Sequence, residues 1–291
     1  MLPDAGGFLI SRAQGIAHPE GFPACWTKIL ADDHGMRTDA FVFPSIENLS
    51  GAPRPNLSPQ TNAYLSNIGL SCSPDTARAV WLHALATLYS PAYLSENAGG
   101  LRQGFPRVPL PENADLLRRS AALGEQLAAL LDPDTAVAGV TAGKIRPELA
   151  AIAVPVGGNF ALTAGWGNRT ENGITMPGRG KSKLRAYTET EAATAAHAAI
   201  LGEKTRDVFL NDTSFWQNIP EAVWETHIGG YQVLKKWLSY REKTIIGRDL
   251  TAGDIRHVME TARRLAAILL LGPELDASFR ACAEPPAPAP A

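Results

Sequence analysis

The chain has 291 residues, of which 45% are apolar and 19% charged, with a net charge of −2. That composition supports a packed core and excludes an intrinsically disordered chain. Its longest apolar run, around residues 265–271, falls well short of the roughly 18–20 residues a membrane helix needs, so no membrane partner is expected.

Residues 1–10 lack a basic segment followed by an apolar stretch, and Cys25, Cys72 and Cys282 fall in no metal-ligand spacing. The chain therefore reads as cytoplasmic, with reduced thiols. Its charge is unevenly distributed. Residues 165–185 carry Arg169, Arg179, Lys181, Lys183 and Arg185 against Glu171 alone. Residues 227–248 carry Lys235, Lys236, Arg241, Lys243 and Arg248 against Glu242. Each stripe suits a surface for an anion, and each equally suits a solvated face.

In chain order, residues 1 to about 70 read as strands and loops, with short apolar runs at Phe8-Leu9-Ile10 and Ala40-Phe41-Val42-Phe43. Ser73-Pro74 then opens a helix bearing Val80, Trp81, Ala84, Leu85 and Leu88, and a second helix follows Pro109–Pro111 as far as Asp132-Pro133. From 134 to about 212 the pattern is β-like. A hairpin turn is expected at Gly157-Gly158-Asn159, between residues 152–156 and 160–162, and a Gly-rich basic loop over 165–180. Residues 190–201 suggest a short alanine-rich helix. After Asn211 helices are expected from Pro220, over 231–240, and from a Thr251/Asp254 capping box onward. Residues 285–291 read as a disordered Pro/Ala tail. The order β, α, β, α predicts an α+β fold of two mixed lobes, 1–132 and 133–284, with a helical C-terminal part.

Motifs for catalysis are missing. Gly178-Arg179-Gly180-Lys181-Ser182 ends like a phosphate-binding loop, but Thr175 stands where the full pattern requires glycine. Six histidines (His18, His34, His83, His197, His227, His257) form no metal-ligand pairs. The carboxylate pair Asp32-Asp33 beside His34 would point to opposite faces of a strand. Neither a nucleophile elbow nor a dinucleotide fingerprint occurs. No catalytic residue and no metal site is assigned.

One long segment carries a more specific signal: residues 219–238, Ile-Pro-Glu-Ala-Val-Trp-Glu-Thr-His-Ile-Gly-Gly-Tyr-Gln-Val-Leu-Lys-Lys-Trp-Leu. Thr38-Asp39-Ala40-Phe41-Val42-Phe43-Pro44 and Arg54-Pro55-Asn56-Leu57-Ser58-Pro59 precede it in order. Tyr89-Ser90-Pro91-Ala92-Tyr93, Phe105-Pro106-Arg107-Val108-Pro109 and Phe209-Leu210-Asn211-Asp212-Thr213 follow those. Together these segments resemble the C-terminal specificity region of Type ISP restriction–modification enzymes and related N6-adenine DNA methyltransferases, over about residues 8–279. The resemblance implies a non-catalytic target-recognition module that binds duplex DNA. Its partners would be methyltransferase and helicase–nuclease parts, either on another polypeptide or in upstream domains. S-adenosylmethionine, ATP and Mg would belong to those parts.

Base readout needs arginine for guanine and asparagine or glutamine for adenine. The candidate DNA contacts are Asn168, Arg169, Arg179, Lys181, Lys183 and Arg185, on a Gly-rich backbone able to approach a groove, with Lys235, Lys236 and Arg241 on phosphates. Trp224, Ile228, Tyr231, Leu234, Trp237 and Leu238 fall at helical spacing and read as the buried face of one helix, kinked or closely crossed at Gly229-Gly230. Two alternatives remain: a helical protein-docking module without sequence readout, and a nuclease built from scattered carboxylates.

Overall fold

Proline and small polar residues punctuate this chain, and its elements start where those residues place caps. The computed structural model describes residues 7–12, 21–29, 36, 40–47 and 53–283, without the side chain of Arg12. The expectations for His18, Asp32-Asp33-His34, Thr38-Asp39 and residues 285–291 lie outside the described residues. The fold is α+β, with small antiparallel sheets set among helices. It divides into two compact units. The first gathers the chain up to Asp132, Ile228–Gly230 and the chain from Leu271 onward; the second gathers Pro133–His227 and Tyr231–Leu270.

In the first unit, Phe8–Arg12 is the central strand of a three-stranded antiparallel sheet, flanked by Ala24–Thr27 and Ala40–Pro44. Phe8, Leu9, Ile10 and Ser11 are all buried, so both faces of this strand are covered. Helix Pro74–Leu88 starts at the expected cap: the Ser73 hydroxyl accepts the Thr76 amide and the Thr76 hydroxyl accepts the Ser73 amide. It packs against Ala114–Leu131. The two helices approach so closely at Gly124 that a side chain there would strike the Leu82 carbonyl.

His83 lies between those helices, wholly buried. Its Nε2 donates to the Pro109 carbonyl at 2.8 Å, while its Nδ1 accepts from the Ser120 hydroxyl at 2.7 Å. Burial pushes the ring down to about 4, against the pull of the Pro109 bond, so it is neutral at pH 7. This histidine is a hydrogen-bonded part of the core.

In the second unit a four-stranded antiparallel sheet runs in the order Val154–Val156, Phe215–Pro220, Thr205–Phe209, Ser182–Arg185. Helix Ala252–Leu270 packs on it, opened by the Thr251/Asp254 box. Its Ile255, Val258, Ala262, Leu265 and Ala266 are buried, and the indole N–H of Trp216 donates to the Ile255 carbonyl at 3.2 Å.

Several local expectations fail here, each for a visible reason. Val154–Val156 pairs with Phe215–Gln217 and not with residues 160–162. The 159–161 stretch is held by Asn211 instead, whose Nδ2 donates to the carbonyls of Asn159 and Ala161. Pro220 closes a strand and, as expected, opens a helix, but one of a single turn, Glu221–Trp224. The alanine-rich segment is broken into Glu189–Glu191, Ala192–Ala195 and Ala198–Leu201. The tryptophan segment is not one helix either. A single turn, Glu221–Trp224, is followed by His227–Ile228 and Tyr231–Gln232, and only then by helix Val233–Ser239. Gly229 and Gly230, at φ 60° and 81°, reverse the chain between them, where a kink or helix crossing was expected.

Arg185, expected among the DNA contacts, has all five of its N–H groups engaged inside the protein. They donate to both carboxylate oxygens of Asp207 (2.8 Å each), to both of Glu191 (2.7 and 2.8 Å) and to the Ala186 carbonyl. Glu191 is 2% exposed. Burial pushes its carboxyl up, but Arg185, the Thr188 amide and Gln217 outweigh that and hold it at about 2.

Two stability measurements follow. Arg185→Ala, which strands two buried carboxylates, should cost about 3–5 kcal/mol in urea unfolding, with Arg185→Lys recovering only part. Glu191's contribution is present above its unfolded value near 4.5 and lost as pH falls towards about 2. His83, with its folded value depressed, stabilises fully above 6.5 and loses that contribution as pH falls towards about 4. His83→Gln should therefore reduce the decline in melting temperature between pH 6.5 and 4, and an unchanged decline would contradict the assignment.

Candidate nucleic-acid interface

The basic loop of residues 165–181 is a β-hairpin. Gly167–Arg169 and Thr175–Pro177 pair antiparallel, with Asn168 opposite Met176 and Arg169 opposite Thr175. The ladder continues outward through Thr170 N–H to the Ile174 carbonyl at 2.9 Å. At its tip Glu171-Asn172-Gly173 forms a three-residue loop with Gly173 at φ 78°, the left-handed position that favours glycine. Inward, Gly178 donates to the Trp166 carbonyl and Gly180 to the Gly165 carbonyl. Arg179 is thus an extra residue in the returning strand, a bulge that turns its side chain outward.

The hairpin's base is anchored by a tryptophan and a buried acid. Trp166 is 1% exposed; its indole N–H donates to the Phe209 carbonyl at 2.7 Å, and its ring meets Trp224 edge-on at 5.3 Å. The carboxylate of Glu242, itself buried, accepts the Trp166 amide, with further bonds from the amides of Gly165 and Gly167. Burial pushes the Glu242 carboxyl up and those three amides pull it back in part. The glycines expected to approach a groove have another use: a side chain at Gly180 would overlap the Trp166 ring.

Asn168, Arg169, Arg179, Lys181 and Lys183 are exposed. Arg169 bends back towards the Gly173 carbonyl (3.3 Å). Lys181 pairs with exposed Asp212 at 2.7 Å and lies over the Phe209 ring. Arg179 and Lys183 have no ion-pair partner among the described residues. The phosphate-loop likeness ends here, because residues 178–182 join two strands and no helix follows.

Helix Val233–Ser239 packs against the hairpin, which brings the two basic stripes together. Lys236 lies between the rings of Tyr231 and Tyr240, 4.5 and 4.6 Å from their centres. Arg241 lies over Trp237, which stacks on His257 at 5.3 Å. Lys235 is half-buried. In sequence, Glu242 looks like one acid diluting a basic stripe. Its role as the hairpin's anchor depends on contacts 76 residues apart in the chain, which no local spacing reveals.

Comparison with known proteins agrees with this architecture. The family model for the Type ISP C-terminal specificity domain matches residues 7–266. Among solved structures, the DrdV–DNA complex aligns with 94% of this chain at TM-score 0.52 and 17% identity. A nuclease-deletion mutant of the Type ISP restriction–modification enzyme LlaGI, in complex with a DNA substrate mimic, aligns over 94% at TM-score 0.46 and 12% identity. The ATP-dependent Type ISP enzyme LlaBIII bound to DNA aligns over 94% at 0.48 and 12%. The chain spans 24%, 21% and 16% of those three chains. No curated protein matches it. Among the described residues no helix is long and apolar enough to cross a membrane. The match over residues 7–266 identifies the chain as a member of the Type ISP C-terminal specificity domain family.

Proposed function

We propose that this chain is the target-recognition part of a Type ISP restriction–modification system. It binds duplex DNA, reads a specific sequence and presents it to methyltransferase and nuclease parts carried elsewhere. The observation that carries this reading is family membership over residues 7–266. Support comes also from the aligned DrdV structure, a complex with DNA, and from the exposed basic hairpin of the second unit. On this reading the chain performs no chemistry itself, and S-adenosylmethionine, ATP and Mg serve other parts of the system.

The candidate contacts divide by geometry. Arg169, Arg179, Lys181 and Lys183 are set to neutralise phosphates along the hairpin, with Asn168 nearer the bases. Lys235, Lys236 and Arg241 form a second bank, in which Lys236 and Arg241 are steadied by aromatic rings. Arg185 holds the sheet together and drops out of the contact set.

A protein-docking role is favoured by one observation in the first unit. Phe43, Trp81 and Phe105 line an apolar cavity of about 280 Å³, beside half-exposed Phe41. Such a groove would suit a neighbouring part of the same system and is compatible with DNA reading by the second unit.

Fluorescence anisotropy with labelled duplexes across a salt series tests the proposal. Wild-type affinity should fall steeply with salt, and Arg179→Ala and Lys183→Ala should each lower the log–log slope by about 1. Arg185→Lys, provided it folds, should leave the slope unchanged. A flat salt response in the wild type would refute duplex binding.

A further inference from the structure

The hairpin's register places side chains that its charge pattern does not predict. Residues opposite one another in an antiparallel pair project to the same face. Asn168 faces Met176, and Thr170 faces Ile174, so these four share one side. Arg169 and Thr175 occupy the other. Ile174 is 58% exposed and Met176 51%, the two most exposed large apolar side chains described in the second unit. Leu162, Trp166, Val208, Trp216 and Ile219 in the same unit are buried almost completely. Val154, Leu184 and Tyr240 are exposed to a lesser degree, at 38–44%, so the most exposed apolar side chains of the unit sit together on one face of the hairpin, beside an amide.

Charge complementarity indicates what covers them. Arg179 stands at the ribbon's base, Arg169 on its other face, and Lys181, paired with Asp212, and Lys183 on the chain that leaves it. The surroundings of the ribbon therefore favour an occupant with negative charge. Two strands about 4.8 Å apart make a ribbon that enters the roughly 12 Å major groove. In that groove an asparagine can bond adenine in bidentate fashion, and apolar side chains touch the thymine methyl.

We propose that Asn168, Ile174 and Met176 form the base-contacting face of this hairpin. Asn168 reads an adenine, and Ile174 and Met176 press on the thymine methyls of neighbouring A·T pairs in the major groove. The inference rests on the duplex-binding reading above and assigns its sequence-determining residues.

The test selects duplexes from a randomised pool with the wild-type chain, the Ile174→Ser/Met176→Ser double variant and Asn168→Ala. The wild type should enrich a sequence containing thymine, and replacing that thymine by uracil, which removes only the methyl, should weaken wild-type binding about tenfold. The double variant should lose the thymine preference and be indifferent to uracil. Its affinity for random duplexes and its salt slope should stay within about twofold of wild type, since the phosphate contacts remain. Asn168→Ala should lose an adenine preference at an adjacent position.

Three results would overturn the inference while leaving duplex binding intact. One is an unchanged selected sequence in the double variant. Another is an equal loss on every duplex. A third is lost self-association on gel filtration with DNA binding unaltered, which would make this face a protein interface. The uracil measurement on the wild type decides the point even if the variants fold poorly. A wild-type chain that enriches no sequence refutes the duplex-reading proposal itself.

Discussion

Much of the second unit turns on a buried carboxylate. Glu242 has been taken out of water at the end of helix Val233–Ser239 and given the backbone amides of residues 165–167 as compensation. Such an exchange is tolerated only when the geometry is complete, since an unsatisfied buried charge is far more costly than an exposed one. Completeness here fixes the start of the hairpin, seats Trp166 against Trp224 and sets where Arg179 bulges outward. The hairpin is thereby tied to the hydrophobic interior at its base.

The contrast between Arg185 and Arg179 shows why charge alone is a poor guide to an anion site. Both belong to the same basic stretch and are six residues apart. Arg185 sits on a sheet strand, in reach of Asp207 across the ladder and Glu191 beyond it, and its charge is internally neutralised. Arg179 sits where the strand has one residue too many, and its guanidinium is left to solvent. Counting cations along the sequence weights them equally, whereas pairing across the sheet separates structural from available charge.

What the sequence made legible was local. The Ser73 and Thr251 caps, the helices after them, and the β character of Phe8-Leu9-Ile10 follow from residue chemistry within a few positions. The α+β class and the family resemblance were also accessible, the latter because its segments are long and ordered. The errors cluster where distant pairing decides the outcome. Val154–Val156 took a partner some 60 residues away over the one next to it, since Asn211 secured the intervening loop. The helical spacing of Trp224 to Leu238 was coincidental: two consecutive glycines at positive φ interrupt it, and burial of Trp224 and Leu238 is achieved from separate elements. Asn168 was visible as a candidate from its chemistry. Ile174 and Met176 were not, because an apolar residue announces itself as core until its exposure is known.

The hairpin's strict two-residue alternation has an evolutionary corollary. Its anchor lies at residues 165–167, helix Val233–Ser239 packs on its strands, and the Glu171-Asn172-Gly173 tip makes none of the anchoring contacts, so the ribbon can change length at the tip without disturbing its seat. Insertions or deletions that shift the pairing by an even number of residues would carry the Asn168 face outward to meet different base pairs. An odd shift would turn that face away and present Arg169 and Thr175 in its place. Target preference in such a domain would then drift in discrete steps, and many single-residue length changes would abolish it outright.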